Sequence, residues 1–152
     1  MVSCSDEDKS VPPYIPIDKL LSAPDTIIVD GKLLYLSSYL NRDFMPGNPE
    51  NGLMAWIEVT AINPGKLPSS IDVDALWIVK EHEVWKSWFS DEERPPEEHE
   101  PNQIVKIARN GPYWPTKIYV TVVVRVINSQ FGASLLSASH QLIHESQISL
   151  RR

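Results

Sequence analysis

Between Lys117 and Asn128 the chain reads KIYVTVVVRVIN: Ile118, Val120, Val122, Val124 and Val126 recur at every second position, with Lys117, Thr121 and Arg125 between them. A period of two marks extended chain, because successive side chains leave a strand on opposite faces, and β-branched residues suit that pleated surface. A chain with such a strand must be built around a sheet. Just upstream, GPYWP sets Pro112 and Pro115 on either side of Tyr113 and Trp114. Proline has no N–H to give a ladder, so this stretch reads as a rigid crossing between strands, with the aromatic pair plugging one open end of the assembly.

The rest of the chain repeats the pattern. Thr26 to Val29, Asp30-Gly31 and Lys32 to Leu36 form a hairpin signal, since Asp-Gly supplies the positive φ of a tight turn. Leu53, Ala55, Ile57, Val59 and Ala61 alternate with Met54, Trp56, Glu58 and Thr60, which puts Trp56 on the outward face. Ile71, Val73, Ala75, Trp77 and Val79 read as a second apolar face opposite Asp72, Asp74 and Lys80. Val84 to Phe89 and Gln103 to Arg109 are further strands, and Ser134 to Ile143 returns as the antiparallel partner of the valine-rich strand. No segment longer than Ile17 to Ser22 has a helical period.

About seven to eight short strands with regular turn signals predict an all-β fold, a single antiparallel two-sheet sandwich. From Asp25 to about Glu145 the chain resembles an immunoglobulin-like or fibronectin-III-like module, with Trp56 and Trp77 as candidate core tryptophans and no cysteine pair. That resemblance implies an architecture and no activity. The expected organisation is a flexible, proline-containing tether over residues 1–24, a β-sandwich over 25–146 and a tail over 147–152.

Fourteen Lys and Arg stand against 20 Asp and Glu, a net charge of −6. That balance disfavours nucleic acid or an anionic membrane as the main partner, since both need a basic footprint. No apolar stretch approaches the ~18 residues a membrane span needs. The one cysteine, Cys4, excludes an intramolecular disulfide and any multi-cysteine metal site. Val2-Ser3-Cys4-Ser5-Asp6 resembles the cleavage end of a bacterial lipoprotein signal, in which the cysteine is lipidated and a polar tether follows. The expectation drawn from it is an extracytoplasmic lipoprotein touching the membrane only through an anchor on Cys4; the alternative is a cytoplasmic protein with Cys4 in a polar tail.

For binding, the candidates are Trp56, Tyr113, Trp114 and Phe131, an outward aromatic and two loop clusters suited to a protein or carbohydrate partner. Core packing explains the same tryptophans without a ligand. For metal, Glu81-His82-Glu83 recurs as Glu98-His99-Glu100, nominating Glu81, His82, Glu98 and His99. Neighbours on a strand diverge, so these could converge only through turns, and solvated acidic loops explain them as well. His140 and His144 would lie roughly 13 Å apart along a strand, too far to share one ion. With no Gly-x-Ser-x-Gly elbow and no phosphate-cradling glycines, the reading is non-enzymatic and without cofactor: a β-sandwich binding or accessory module. A cytosolic metal- or ligand-binding domain using the Glu-His-Glu loops is the alternative. Weak self-association is expected at the amino-terminal hairpin or the Ser134 to Ile143 strand, if either is a sheet edge.

Overall fold

A computed structural model describes residues 10–43, 52–62, 67–68, 70–89, 102–130 and 132–146. The elements are α1 (Ile17–Leu21), β1 (Thr26–Val29), β2 (Lys32–Asp43), β3 (Met54–Ala61), β4 (Ile71–Lys80), β5 (Glu83–Trp88), β6 (Gln103–Ala108), β7 (Tyr119–Asn128) and β8 (Gly132–Ser146). The all-β expectation holds, and the Asp-Gly hairpin is present, with Val29 paired to Lys32 across Asp30 (φ 53°) and Gly31 (φ 78°).

Strands run in the order β5-β4-β7-β8-β2-β3-β6, with β1 added on β2. Among the described residues all strand pairs are antiparallel except one: β2 and β8 run parallel from Leu40↔Ile143 to Asp43↔Ser146. Instead of two separate antiparallel sheets, the strands form one curled, mixed sheet, because β8 serves both halves. It pairs with β7 from Gly132 to Leu142 and reaches β2 at Ile143. Between those stretches the register shifts: Ala138 faces Val122 and Gln141 faces Val120, so Ser139 and His140 together oppose Thr121. His140 takes the left-handed conformation, φ 58°. An extra residue of this kind bends a strand and raises its twist, which is what redirects β8 from one half to the other. In strand order β8 lies between β7 and β2, but its Ser134 to Leu142 stretch is laddered to β7 alone and it meets β2 only from Ile143.

The curl brings β6 round to β4, where the buried Lys106 (3% exposed) places Nζ 3.2 Å from Asp72 Oδ1. Inside it, Leu34, Ile57, Leu76, Ile78, Val122 and Val124 are sealed in one core with Trp114. Each such side chain contributes roughly 1.5–3 kcal/mol by leaving water.

A second bulge changes the reading of β4. The register slips between Val73 and Ala75, so Ile71, Val73, Leu76 and Ile78 face the main core, while Ala75, Trp77 and Val79 turn to the other side. Local alternation predicts one continuous face because a bulge leaves no mark in it. The outward-turned set would expose a tryptophan and a valine, and the chain covers it with its own amino-terminal stretch: Leu20 of α1 is fully buried against Ala75, Trp77, Val79 and Val123, flanked by Ile15 and Ile17. Trp77 Nε1 donates to the Pro13 carbonyl (3.1 Å), and Ser137 Oγ donates to the Ala23 carbonyl (2.8 Å). Of the tether expected over 1–24, the part described, residues 10–24, thus lies against the sheet as a packed cover. The tail over 147–152 lies outside the described residues.

Candidate functional site

Trp114 is 6% exposed and sits in the main core, so the proline-bracketed aromatic does close one end of the fold. Its indole Nε1 donates to Glu83 Oε1 (2.9 Å), and its carbonyl accepts from Arg42 Nη1 (2.7 Å). The loop is fixed to β3 by Leu53 N donating to the Pro112 carbonyl (3.1 Å) and Gly111 N donating to the Leu53 carbonyl (3.0 Å). Glycine is required at 111, since a Cβ there would stand 2.9 Å from carbons of the Trp85 ring. Tyr113 is 64% exposed, with the Arg42 guanidinium 5.4 Å from its ring centre. Of the four aromatics singled out by sequence, Trp114 is thus core, Tyr113 is at the surface, Trp56 is half-buried, and Phe131 lies outside the described residues.

Glu81 and His82 form the exposed turn joining β4 to β5, with Glu81 at φ 56°. The third member of that triplet is committed elsewhere: Glu83 holds the Trp114 indole and pairs with Lys80 Nζ at 3.5 Å. Glu98 and His99 lie outside the described residues, as does Cys4. Among the described residues no group of three or more His, Cys, Asp or Glu side chains converges. His140 and His144 each stack on a tyrosine: His140 on Tyr119 at 3.9 Å and 4°, His144 on Tyr39 at 4.9 Å and 21°.

One concavity of mixed aromatic and polar character lies on the outward face of β2 and β3. A cleft of about 280 Å³ is lined by Ser37, Ser38, Tyr39, Trp56 and Glu58. Register explains the grouping: Tyr39 is the cross-strand partner of Trp56, and Ser37 that of Glu58. Such partners share a face with Cβ atoms about 4.5–5.5 Å apart. Trp56 Nε1 donates to Glu58 Oε2 (3.0 Å), two residues along the same strand and therefore on the same side. Gln103 of the neighbouring β6 fixes the carboxylate from below, its Nε2 donating to Glu58 Oε1 (3.5 Å) and to Thr60 Oγ1 (3.2 Å). Ser38 Oγ donates to Gln141 Oε1 (2.6 Å), tying the rim of the cleft to β8. The result is a tryptophan edge locked to a carboxylate, with the Tyr39–His144 stack beside it.

A different charged group marks the other half of the sheet. Arg125 of β7 makes a two-pronged bond to Asp74 at the β4 bulge, Nε to Oδ1 at 3.0 Å and Nη2 to Oδ2 at 2.8 Å. The hydrogen bond to this carboxylate holds the guanidinium above its ordinary pKa, against the opposing effect of burial.

Trp56 was legible as an outward aromatic, and Glu58 could have been found from the same alternation, two positions on. Tyr39, Gln103 and His144 come from other strands and join the site only through register. No family model, curated protein or solved structure matches this chain.

Proposed function

We propose that this chain is a non-enzymatic binding or accessory module, used as immunoglobulin-like sandwich modules are: a rigid β scaffold presenting a ligand surface. The surface is the outward face of β2 and β3 around Trp56, and the observation that carries this reading is the cleft in which Trp56, Tyr39 and Glu58 stand together. On the opposite half, the outward Trp77 is fully buried beneath Leu20 of the chain itself; on this half Trp56 is only half-buried. Aromatic residues set beside fixed polar groups supply contact area and orientation at low entropic cost, which suits a protein or carbohydrate partner. Display outside the cytoplasm on a lipid at Cys4 completes the proposal, on the sequence grounds given above.

Two measurements test it. Full-length protein and its Trp56→Ala variant are compared on glycan and peptide arrays; the expected result is a ligand bound by the parent and lost in the variant, with the far-ultraviolet spectrum unchanged. Binding that survives Trp56→Ala places the ligand surface elsewhere. Expression of the uncut gene in its native host, followed by intact mass, is expected to give a membrane-bound product with acyl mass on Cys4. A free thiol at Cys4 removes the anchor from the proposal and leaves the cleft untouched.

A further inference from the structure

We infer that the Trp56–Glu58 cleft takes an organic cation, an ammonium or guanidinium head group; this rests on the cleft being the ligand surface. The molecule uses one device three times. Trp114 donates its indole N–H to Glu83 (2.9 Å), and over that pair lies Lys80, whose Nζ is 3.5 Å from Glu83 Oε2 and 5.9 Å from the Trp114 ring centre. Asp74 grips Arg125 with two bonds, and the same guanidinium stands 5.6 Å from the Trp88 ring centre. In both places a tryptophan and a carboxylate share one cation of the chain, at the ~6 Å range over which a ring face attracts positive charge.

The third pair has the same anatomy without a cation of its own. Trp56 donates to Glu58 at 3.0 Å, as Trp114 does to Glu83, but the partners of Glu58 are an indole and an amide, and among the described residues no lysine or arginine pairs with it. Instead the pair lines a cleft together with Tyr39, the cross-strand partner of Trp56, and Ser37, that of Glu58. The Glu58 carboxylate has only neutral donors as partners, and the aromatic rings of Trp56 and its cross-strand partner Tyr39 stand on the same face of the sheet. An anion is repelled from such a place, and a neutral sugar would leave the charge unanswered. A cation with some apolar surface answers both. The cleft, at about 280 Å³, lies just under the common range of ligand pockets, roughly 300–1,000 Å³, which favours a single head group and short stem over an extended oligomer. The net charge of −6 draws cations toward the molecule as a whole.

The test is a titration of the full chain followed by the indole N–H resonances, with Trp56 assigned by its absence in Trp56→Ala. The probes are tetramethylammonium chloride, Nα-acetyl-lysine amide, Nα-acetyl-arginine amide, methyl glucoside, and sodium chloride at matched ionic strength. The expected result is a saturable shift of the Trp56 resonance with the organic cations alone, weakened about tenfold or more in Glu58→Gln. That variant is chosen because its amide oxygen can still accept from the indole, so the charge is removed while the local geometry is kept. Tighter binding of the amino-acid amides identifies a basic side chain of a partner protein as the source; tighter binding of tetramethylammonium identifies a free small molecule. A response equal to that of sodium chloride, or one unchanged in Glu58→Gln, overturns the inference. Saturation by methyl glucoside alone overturns it too, while leaving this face as the ligand surface; array ligands that survive Trp56→Ala would remove both.

Discussion

The two outward faces of this curled sheet are both built on a tryptophan, and the chain treats them in opposite ways. On the β4–β7 half, Trp77 stands among Ala75, Val79 and Val123, an apolar cluster that Leu20 and its flanking residues close over, with Lys86 and Arg125 beside it on the same face. On the β2–β3 half, Trp56 stands beside Glu58, Tyr39 and Ser37, and lines a cleft. Composition decides the difference. An apolar cluster gains from any apolar cover, and a short segment with Ile15, Ile17 and Leu20 is cover enough; a tryptophan tied to a carboxylate gains less, because the same cover would strip the carboxylate of water.

That contrast predicts a graded series. Trp77→Ala is expected to cost about 3–5 kcal/mol in urea unfolding, since it removes a fully buried ring together with its bond to Pro13. Leu20→Ala follows at about 2–3 kcal/mol, toward the low end for leucine because a single helical turn can settle onto the sheet. A loss near zero for Leu20→Ala would mean the amino-terminal cover does not contribute to stability. Arg125→Met is expected to lose about 1–2 kcal/mol, the lower part of the range for charged hydrogen bonds, because the two side chains are 26% and 27% exposed. Smallest is Trp56→Ala, at about 1 kcal/mol or less in the same assay, with its main effect on ligand binding. If Trp56→Ala destabilised as much as Trp77→Ala, the two faces would be equivalent and the cleft merely a part of the core.

Sequence carried the local elements well and the long-range ones poorly. The hairpin at Asp30-Gly31, the valine face of β7 and the plug at Trp114 each follow from a rule acting within a few residues: a positive φ, a period of two, a missing N–H. The turn of Ala75, Trp77 and Val79 away from the core did not, because it hangs on one bulged residue whose identity, Asp74, looks like any outward polar residue of a strand. The prolines and charges of residues 10–24 resemble a tether, and the purpose of this cover appears only once the face beneath it exists. The site was half legible for the same reason: Trp56 and Glu58 share a strand, whereas Tyr39 and Gln103 are placed by cross-strand register. Phe131, Glu98, His99 and Cys4 fall outside the described residues, and the expectations attached to them stand as they were.

Because β8 turns at His140, one strand is a neighbour to both halves of the molecule, and this makes the fold indivisible. Withdraw it, and β7 loses one of its two partners while β2 loses the contact that joins it to the other half. Neither half is a smaller domain in waiting. Heat or urea should therefore meet a single cooperative transition, not two. Assembly carries the matching constraint: the rim bond from Ser38 to Gln141 spans 103 positions of chain, so the halves can be brought into register only through a closure of high contact order. Such a chain folds slowly and all at once, and the outward face of β2 is finished by the same event that joins the halves.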